Sequence, residues 1–132
     1  MNKKVLVVED DSLLQDMLAQ QLSKDAWTVS YAKDGDRALE IARTEKPDII
    51  LLDLMLPGVS GYDILANLKK DPELTRIPVI ILSNLGQQED IDKGLQLGAT
   101  DFMIKSNFTL DEVSAKMKGI LEKGGAAPAP AA

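Results

Sequence analysis

Hydrophobic positions fall along this chain in two alternating patterns, short aliphatic runs and stripes at helical spacing. Lys4–Val8 is an aliphatic run that ends in Glu9-Asp10-Asp11-Ser12. Ser12–Lys24 then carries Leu14, Met17, Leu18, Gln21 and Leu22 in helical register, which predicts a helix capped by Asp11 or Ser12. Trp27–Ala32 alternates weakly and reads as a second strand, Asp34-Gly35 as a turn, and Asp36–Thr44 as a helix with Ala38, Leu39 and Ala42 facing inward. Ile49–Leu52 is a continuous aliphatic run, the signature of a strand buried on both faces, and it stops on a carboxylate, Asp53. Pro57-Gly58 turns the chain, and Gly61–Lys70 reads as a helix with Leu65 and Leu68 on one face and Ser60 as cap. Val79–Leu82 is a further buried strand ending at Ser83-Asn84, followed by a Gln88–Leu97 helix bearing Ile91 and Leu95. A short strand, Phe102–Ile104, ends at Lys105, and Leu110, Val113, Met117, Ile120 and Leu121 mark a last helix over Leu110–Leu121.

Strands alternating with helices predict an α/β fold, a doubly wound five-stranded parallel sheet of (βα)5 type with helices on both faces. Residues 1–123 read as one folded unit, and 124–132 (GGAAPAPAA) as a disordered tail or linker stub. No apolar run approaches the roughly 18 residues of a membrane span, and no basic leader precedes an apolar stretch. Membrane insertion and a signal peptide are therefore not expected, and a cytoplasmic location is. A formal net charge of −6 argues against direct nucleic-acid binding. With no Cys and no His, thiolate and imidazole metal sites, disulfides and a phosphohistidine are all excluded. Chemistry here has to run on carboxylates, hydroxyls and lysines.

Those residue types collect at one place. In a parallel sheet the carboxyl ends of all strands share an edge, with neighbours about 5 Å apart, and ligand crevices form there. The ends carry Glu9 and Asp10, Asp53, Ser83 and Lys105. Taken singly, each has a plain structural reading: Asp11 and Ser83 as helix caps, Lys105 as a solvated surface residue, Asp53 as a cap. Taken together they predict a site. Three carboxylates in one crevice repel one another and call for a hard divalent cation, Mg²⁺ by the all-oxygen donor set, with Mn²⁺ as the alternative. Lys105 and Ser83 add a charge and a donor for a tetrahedral anion, which Asp53 could attack as a carboxylate nucleophile.

The ordered set VLVVEDD, LLDLMLPGVSG, Ser83 and Lys105 resembles the receiver domains of two-component response regulators over Lys4 to about Lys123. The resemblance implies a flavodoxin-like strand order 2-1-3-4-5 and Asp53 as phosphoacceptor. It implies a metal site of Glu9, Asp10, Asp53 and the Met55 backbone carbonyl, Ser83 as switch hydroxyl, Lys105 as phosphoryl contact and Phe102 as switch aromatic. It also implies a histidine kinase or histidine phosphotransfer protein as donor, and a protein target on the surface of the fourth helix, fifth strand and fifth helix. On that surface Lys93, Asp101, Glu112 and Lys116 resemble part of a charged set used for phosphorylation-dependent homodimers; the alternative is that they are simply solvated. No turnover of an external substrate is implied. Two departures stand out: Ser106 replaces the proline that commonly follows the lysine through a cis peptide, and the switch aromatic is Phe rather than Tyr. Water is expected to remove the phosphoryl group later, with Asn84 and Met55 flanking its approach.

Competing readings are weaker. A phosphatase of the haloacid-dehalogenase type needs a second Asp where Met55 stands. A flavodoxin-like cofactor carrier needs a phosphate-cradling first loop, which Glu9-Asp10-Asp11 would repel. Within the receiver reading, a stand-alone regulator is set against the receiver portion of a longer one with an output domain, for example a DNA-binding one.

Overall fold

The computed structural model describes residues 3–122 apart from Pro57, Val59 and Leu85. The tail expected at 124–132 lies outside these residues, as does Pro57 of the expected turn; Gly58 beside it has φ +80°, a conformation suited to glycine. In chain order the elements are β1 (Lys3–Val8), α1 (Ser12–Lys24), β2 (Trp27–Ala32), α2 (Gly35–Glu45), β3 (Ile49–Leu52), α3 (Gly61–Lys70), β4 (Val79–Ser83), α4 (Gln88–Gln96), β5 (Asp101–Ile104) and α5 (Leu110–Glu122). All strand pairs are parallel and the order is β2-β1-β3-β4-β5, as expected.

Strand alternation sorts the core into two layers. Leu6, Val8, Ile50, Leu52, Val79 and Ile81 face one side, against Ala38 and Ala42 of α2 and Ile64, Leu65 and Leu68 of α3. Val5, Val7, Ile49, Leu51, Ile80, Leu82 and Met103 face the other, against Leu18 and Leu22 of α1 and Val113 and Met117 of α5. All of β3 and β4 is buried, which is why those strands read as unbroken aliphatic runs rather than alternating ones.

Helix starts follow local chemistry. Asp11 accepts from the backbone N–H of Leu13 (2.9 Å) and Leu14 (3.2 Å), so it is the cap of α1. Asp34 caps α2 through Arg37 N, so Asp34-Gly35 opens the helix rather than forming a separate turn. Ser60 caps α3 through Tyr62 N. Thr109 and Glu112 exchange side chain to backbone bonds of 3.2 and 2.9 Å, a capping box at α5. Only the α4 start, Gln87, makes no side-chain capping bond among the four caps described for α1 to α4.

The helical stripes need adjustment in two places. Met17 is largely exposed while Gln15 is buried, so the inner face of α1 is rotated from the expected one. In α4 the buried residue is Gly94, not Leu95, which is exposed. A Cβ on Gly94 would come within 2.6 Å of Ile81 Cδ1 and 3.2 Å of Phe102 Cδ2. The bare backbone therefore lets α4 lie close on β4 and β5, and its leucine turns outward.

Candidate functional site

The ladder of the sheet runs one residue beyond its strands. Glu9 N donates to Ala32 O and Asp53 N to Val8 O, both at 3.0 Å. Val8 pairs with Leu52, so these bonds carry the register on to set Glu9 beside Asp53. By alternation Glu9 continues the row of Val7, Asp53 that of Leu51, and Lys105 that of Met103, all three on the α1/α5 side of the sheet. The side chains meet there. Lys105 Nζ lies 2.7 Å from Glu9 Oε1 and 3.1 Å from Asp53 Oδ2.

The remaining carboxylate oxygens are held by backbone. Asp53 Oδ1 accepts from Met55 N and Glu9 Oε2 from Asp11 N, each at 3.1 Å. The Glu9 carbonyl accepts the Gln15 side-chain amide at 2.5 Å. Backbone N–H, backbone carbonyl and both carboxylate oxygens of Glu9 therefore all have partners. Gln15, buried beneath the acidic loop, is a site residue that the sequence reading passed over as one more polar residue of α1.

Burial sets the electrostatics. Glu9 and Asp53 are only 4% and 6% exposed. Burial, chiefly, pushes the Glu9 carboxyl above its ordinary range, and the charge of Asp53 adds to this, against the opposing pull of Lys105 and the Asp11 N–H. For Lys105 burial acts downward, but hydrogen bonds and charge from Glu9 and Asp53 outweigh it and raise the ammonium. A shared, desolvated cation of this kind is costly to remove: each buried carboxylate would lose its countercharge, an effect of about 3–5 kcal/mol.

Glu9 and Asp53 converge, while Asp10, in the bend that follows Glu9, is exposed; among the described residues no three acidic side chains are gathered closely enough to hold an ion between them. Lys105 supplies the countercharge for the buried pair. Two carboxylates against one ammonium still leave a net charge of −1, and Asp10 at the mouth makes it −2. An all-oxygen donor set with that deficit fits a hard divalent cation.

Ser83 closes β4, fully buried and opposite Ile104 in register. It continues the row of Ile81, on the α4 side of the sheet, as does Phe102, which packs on the same core layer. The proposed switch pair thus sits across the sheet from the Glu9–Asp53–Lys105 trio. Met55 and Asn84 are both exposed. The Lys105–Ser106 peptide is trans, since no cis bond occurs among the described residues, and Lys105–Asn107 forms a single 3-10 turn that still delivers Lys105 to both carboxylates. Of the charged set, Lys116 binds Asp101 at 2.8 Å, Glu112 serves the α5 cap, and Lys93 lies over the Tyr62 ring. Asp101, Phe102, Phe108, Glu112 and Lys116 line a groove of about 490 Å³ between β5 and α5.

The model of the response regulator receiver domain matches residues 5–118. The chain is 39% identical over 123 residues to the alkaline phosphatase synthesis transcriptional regulatory protein PhoP of Bacillus subtilis, covering 93% of this chain and 50% of that protein. It is 40% identical over 105 residues to the response regulator PleD of Caulobacter vibrioides, covering 80% and 23%. The chain spans about half the length of the first curated relatives it matches. Among solved structures, the receiver domain of the Francisella response regulator 1452 shares 32% identity at a TM-score of 0.85 over 93% of this chain and 99% of that one. The Mn²⁺-bound form of response regulator Rcp1 shares 26% at 0.79, over 96% and 99%. Receiver domains are in general non-catalytic signal transducers that bind a divalent metal, and response regulators interact with histidine kinases. Among the described residues no helix is long and apolar enough to cross a membrane.

Proposed function

The chain belongs to the receiver-domain family of two-component response regulators, and on that basis we propose that Asp53 is its phosphoacceptor. The observation that carries this is the single ammonium shared by two buried carboxylates, Lys105 on Glu9 and Asp53. An Asp53 oxygen attacks the phosphorus of a partner phosphohistidine. The new O–P bond forms as the P–N bond breaks, its electron pair goes to the imidazole nitrogen, and that nitrogen takes up a proton. Lys105, already within reach of Asp53 Oδ2, then faces a phosphoryl oxygen. The donor is a histidine kinase or a histidine phosphotransfer protein, because this chain has no His of its own. Leu13, Met55 and Phe108 are exposed apolar side chains in the loops and first helical turn around Asp53, a surface suited to such a partner.

Glu9, Asp10, Asp53 and the Met55 carbonyl are the residues that would hold Mg²⁺, or Mn²⁺ in its place. A bound cation would neutralise the carboxylate and phosphoryl charges. Ser83 answers the phosphoryl group from the end of β4, Phe102 follows it, and the α4-β5-α5 face presents a changed surface to a downstream protein or to a second copy of the chain. Self-dephosphorylation by water, approached past Met55 and Asn84, ends the signal. We place these events in the cytoplasm and expect no turnover of external substrates. A second reading, that this is the receiver portion of a longer regulator with an output domain such as a DNA-binding one, is favoured by the greater length of the relatives.

Incubation with acetyl phosphate, with and without Mg²⁺, tests the reading through intact mass. We expect one added phosphoryl group that needs Mg²⁺ and is lost in Asp53→Asn. Absence of the adduct from the unsubstituted protein, or its persistence in the variant, would overturn Asp53 as acceptor.

A further inference from the structure

The start of α3 is pressed against the backbone of the phosphoacceptor loop. Gly61 N donates to Leu54 O at 3.0 Å, and a Cβ at Gly61 would come within 2.6 Å of the Asp53 carbonyl oxygen and 2.5 Å of Leu54 Cα. No side chain fits there, so this turn of α3 follows the loop directly. The next residue reaches the other way. Tyr62 Oη donates to the Asp90 carbonyl in the first turn of α4 at 3.1 Å, and Lys93 Nζ lies 4.4 Å from the centre of the Tyr62 ring. Burial, then the charge and hydrogen bond of Asp90, raise the phenol above its ordinary range, so it is a donor at any physiological pH.

The helix it touches is lightly anchored. α4 has nine residues, no side-chain capping bond at Gln87, and a glycine as its one buried residue. Among the described residues its other holds are Gly94 close on Ile81 and Phe102, Ala99 N donating to Gly94 O at 3.1 Å, the half-buried Ile91, and Leu97 at its C-cap against the core. A helix without a cap and with an internal glycine has weak intrinsic stability, so its placement depends on what grips it.

We propose that Tyr62 is a positioning residue that seats the first turns of α4, and that it links the Asp53 loop to the output face by a route separate from Ser83 and Phe102. The route runs from the Asp53 and Leu54 backbone through Gly61 to Tyr62, and from there to Asp90 and Lys93. The part concerning signal transmission rests on Asp53 being the phosphoacceptor; the seating of α4 does not.

Hydrogen–deuterium exchange on the full chain tests both parts, comparing the unsubstituted protein with Tyr62→Phe and Tyr62→Leu, each with and without beryllofluoride and Mg²⁺. Tyr62→Phe keeps the ring under Lys93 and loses only the hydroxyl. Without beryllofluoride we expect amides of residues 88–96 to exchange on the order of five-fold faster in Tyr62→Phe, the factor for loss of one hydrogen bond, and faster still in Tyr62→Leu. Exchange in α5 should not change, whereas a general loss of structure would raise it everywhere. With beryllofluoride, the response of α4 should shrink in both variants while that of β5 persists. Unaltered exchange in α4 of both variants, or a rise spread evenly over the chain, would overturn the proposal. Absence of any beryllofluoride response in the unsubstituted protein would instead count against Asp53 as acceptor and against the transmission route, leaving the seating of α4 to be decided by the beryllofluoride-free comparison.

Discussion

α4 and α5 both belong to the face proposed to carry the output, yet they are held in different ways. α5 has thirteen residues, a reciprocal cap from Thr109 and Glu112, and Val113 and Met117 sunk in the core. It is also tied across the molecule: Ser114 Oγ accepts from Trp27 Nε1 at 3.3 Å and donates to Asp25 Oδ2 at 2.6 Å. α4 has the Tyr62 contacts, a glycine as its one buried residue, and Leu97 at its C-cap against the core. The difference teaches where motion is inexpensive. A signal arriving at this face would meet one helix bolted to the far end of the sheet and another resting on a tyrosine.

The comparison breaks most severely if α4 is lifted from the sheet. Gly94→Leu puts a side chain where even a Cβ meets Ile81 and Phe102, and overpacking of this kind costs about 3 kcal/mol. Thermal melting should show the loss, and an unchanged midpoint would mean that α4 already rides free of the sheet. Next in size is removal of the α5 tie. Ser114→Ala leaves the buried Trp27 N–H without its acceptor, a cost of about 2 kcal/mol, measured by urea unfolding. A smaller loss than this would narrow the contrast between the two helices.

The smallest effect is a pH dependence. Hydrogen bonds from Ser114 and then Gln21, helped by Lys118 and Lys24, hold the Asp25 carboxyl below its ordinary range. A carboxyl depressed in the folded state contributes stability that is fully present above its unfolded value, about 3.9, and that fades as pH falls through its folded value. Asp25→Asn should therefore lower stability at neutral pH and reduce the decline below about pH 4, as followed by melting at a series of pH values. An acid limb identical to that of the parent would show that Asp25 adds nothing to the hold on α5.

Much of this was legible from the chain. Ile49–Leu52 and Val79–Leu82 could hardly be anything but central strands, and from them the edge bearing Asp53, Ser83 and Lys105 follows. The contacts of Tyr62 and Ser114 could not be read, because they span 28 and 87 residues and depend on how helices settle against one another. Gln15 lay in between: its partner is only six residues away, but its burial reflects the rotation of α1, which a stripe with Met17 in it conceals.

Trp27 is the one tryptophan of the chain, and its indole N–H is committed to α5. It opens β2 at the amino edge of the sheet, in register with Lys3, whereas Asp53 follows the carboxyl end of β3. The protein thus carries its own optical probe at the end remote from the proposed phosphoacceptor, wired to α5. Intrinsic fluorescence would report whether α5 keeps its anchorage while events at Asp53 unfold, and steady emission from a fully activated sample would be the spectroscopic mark of a face that moves in only one of its halves.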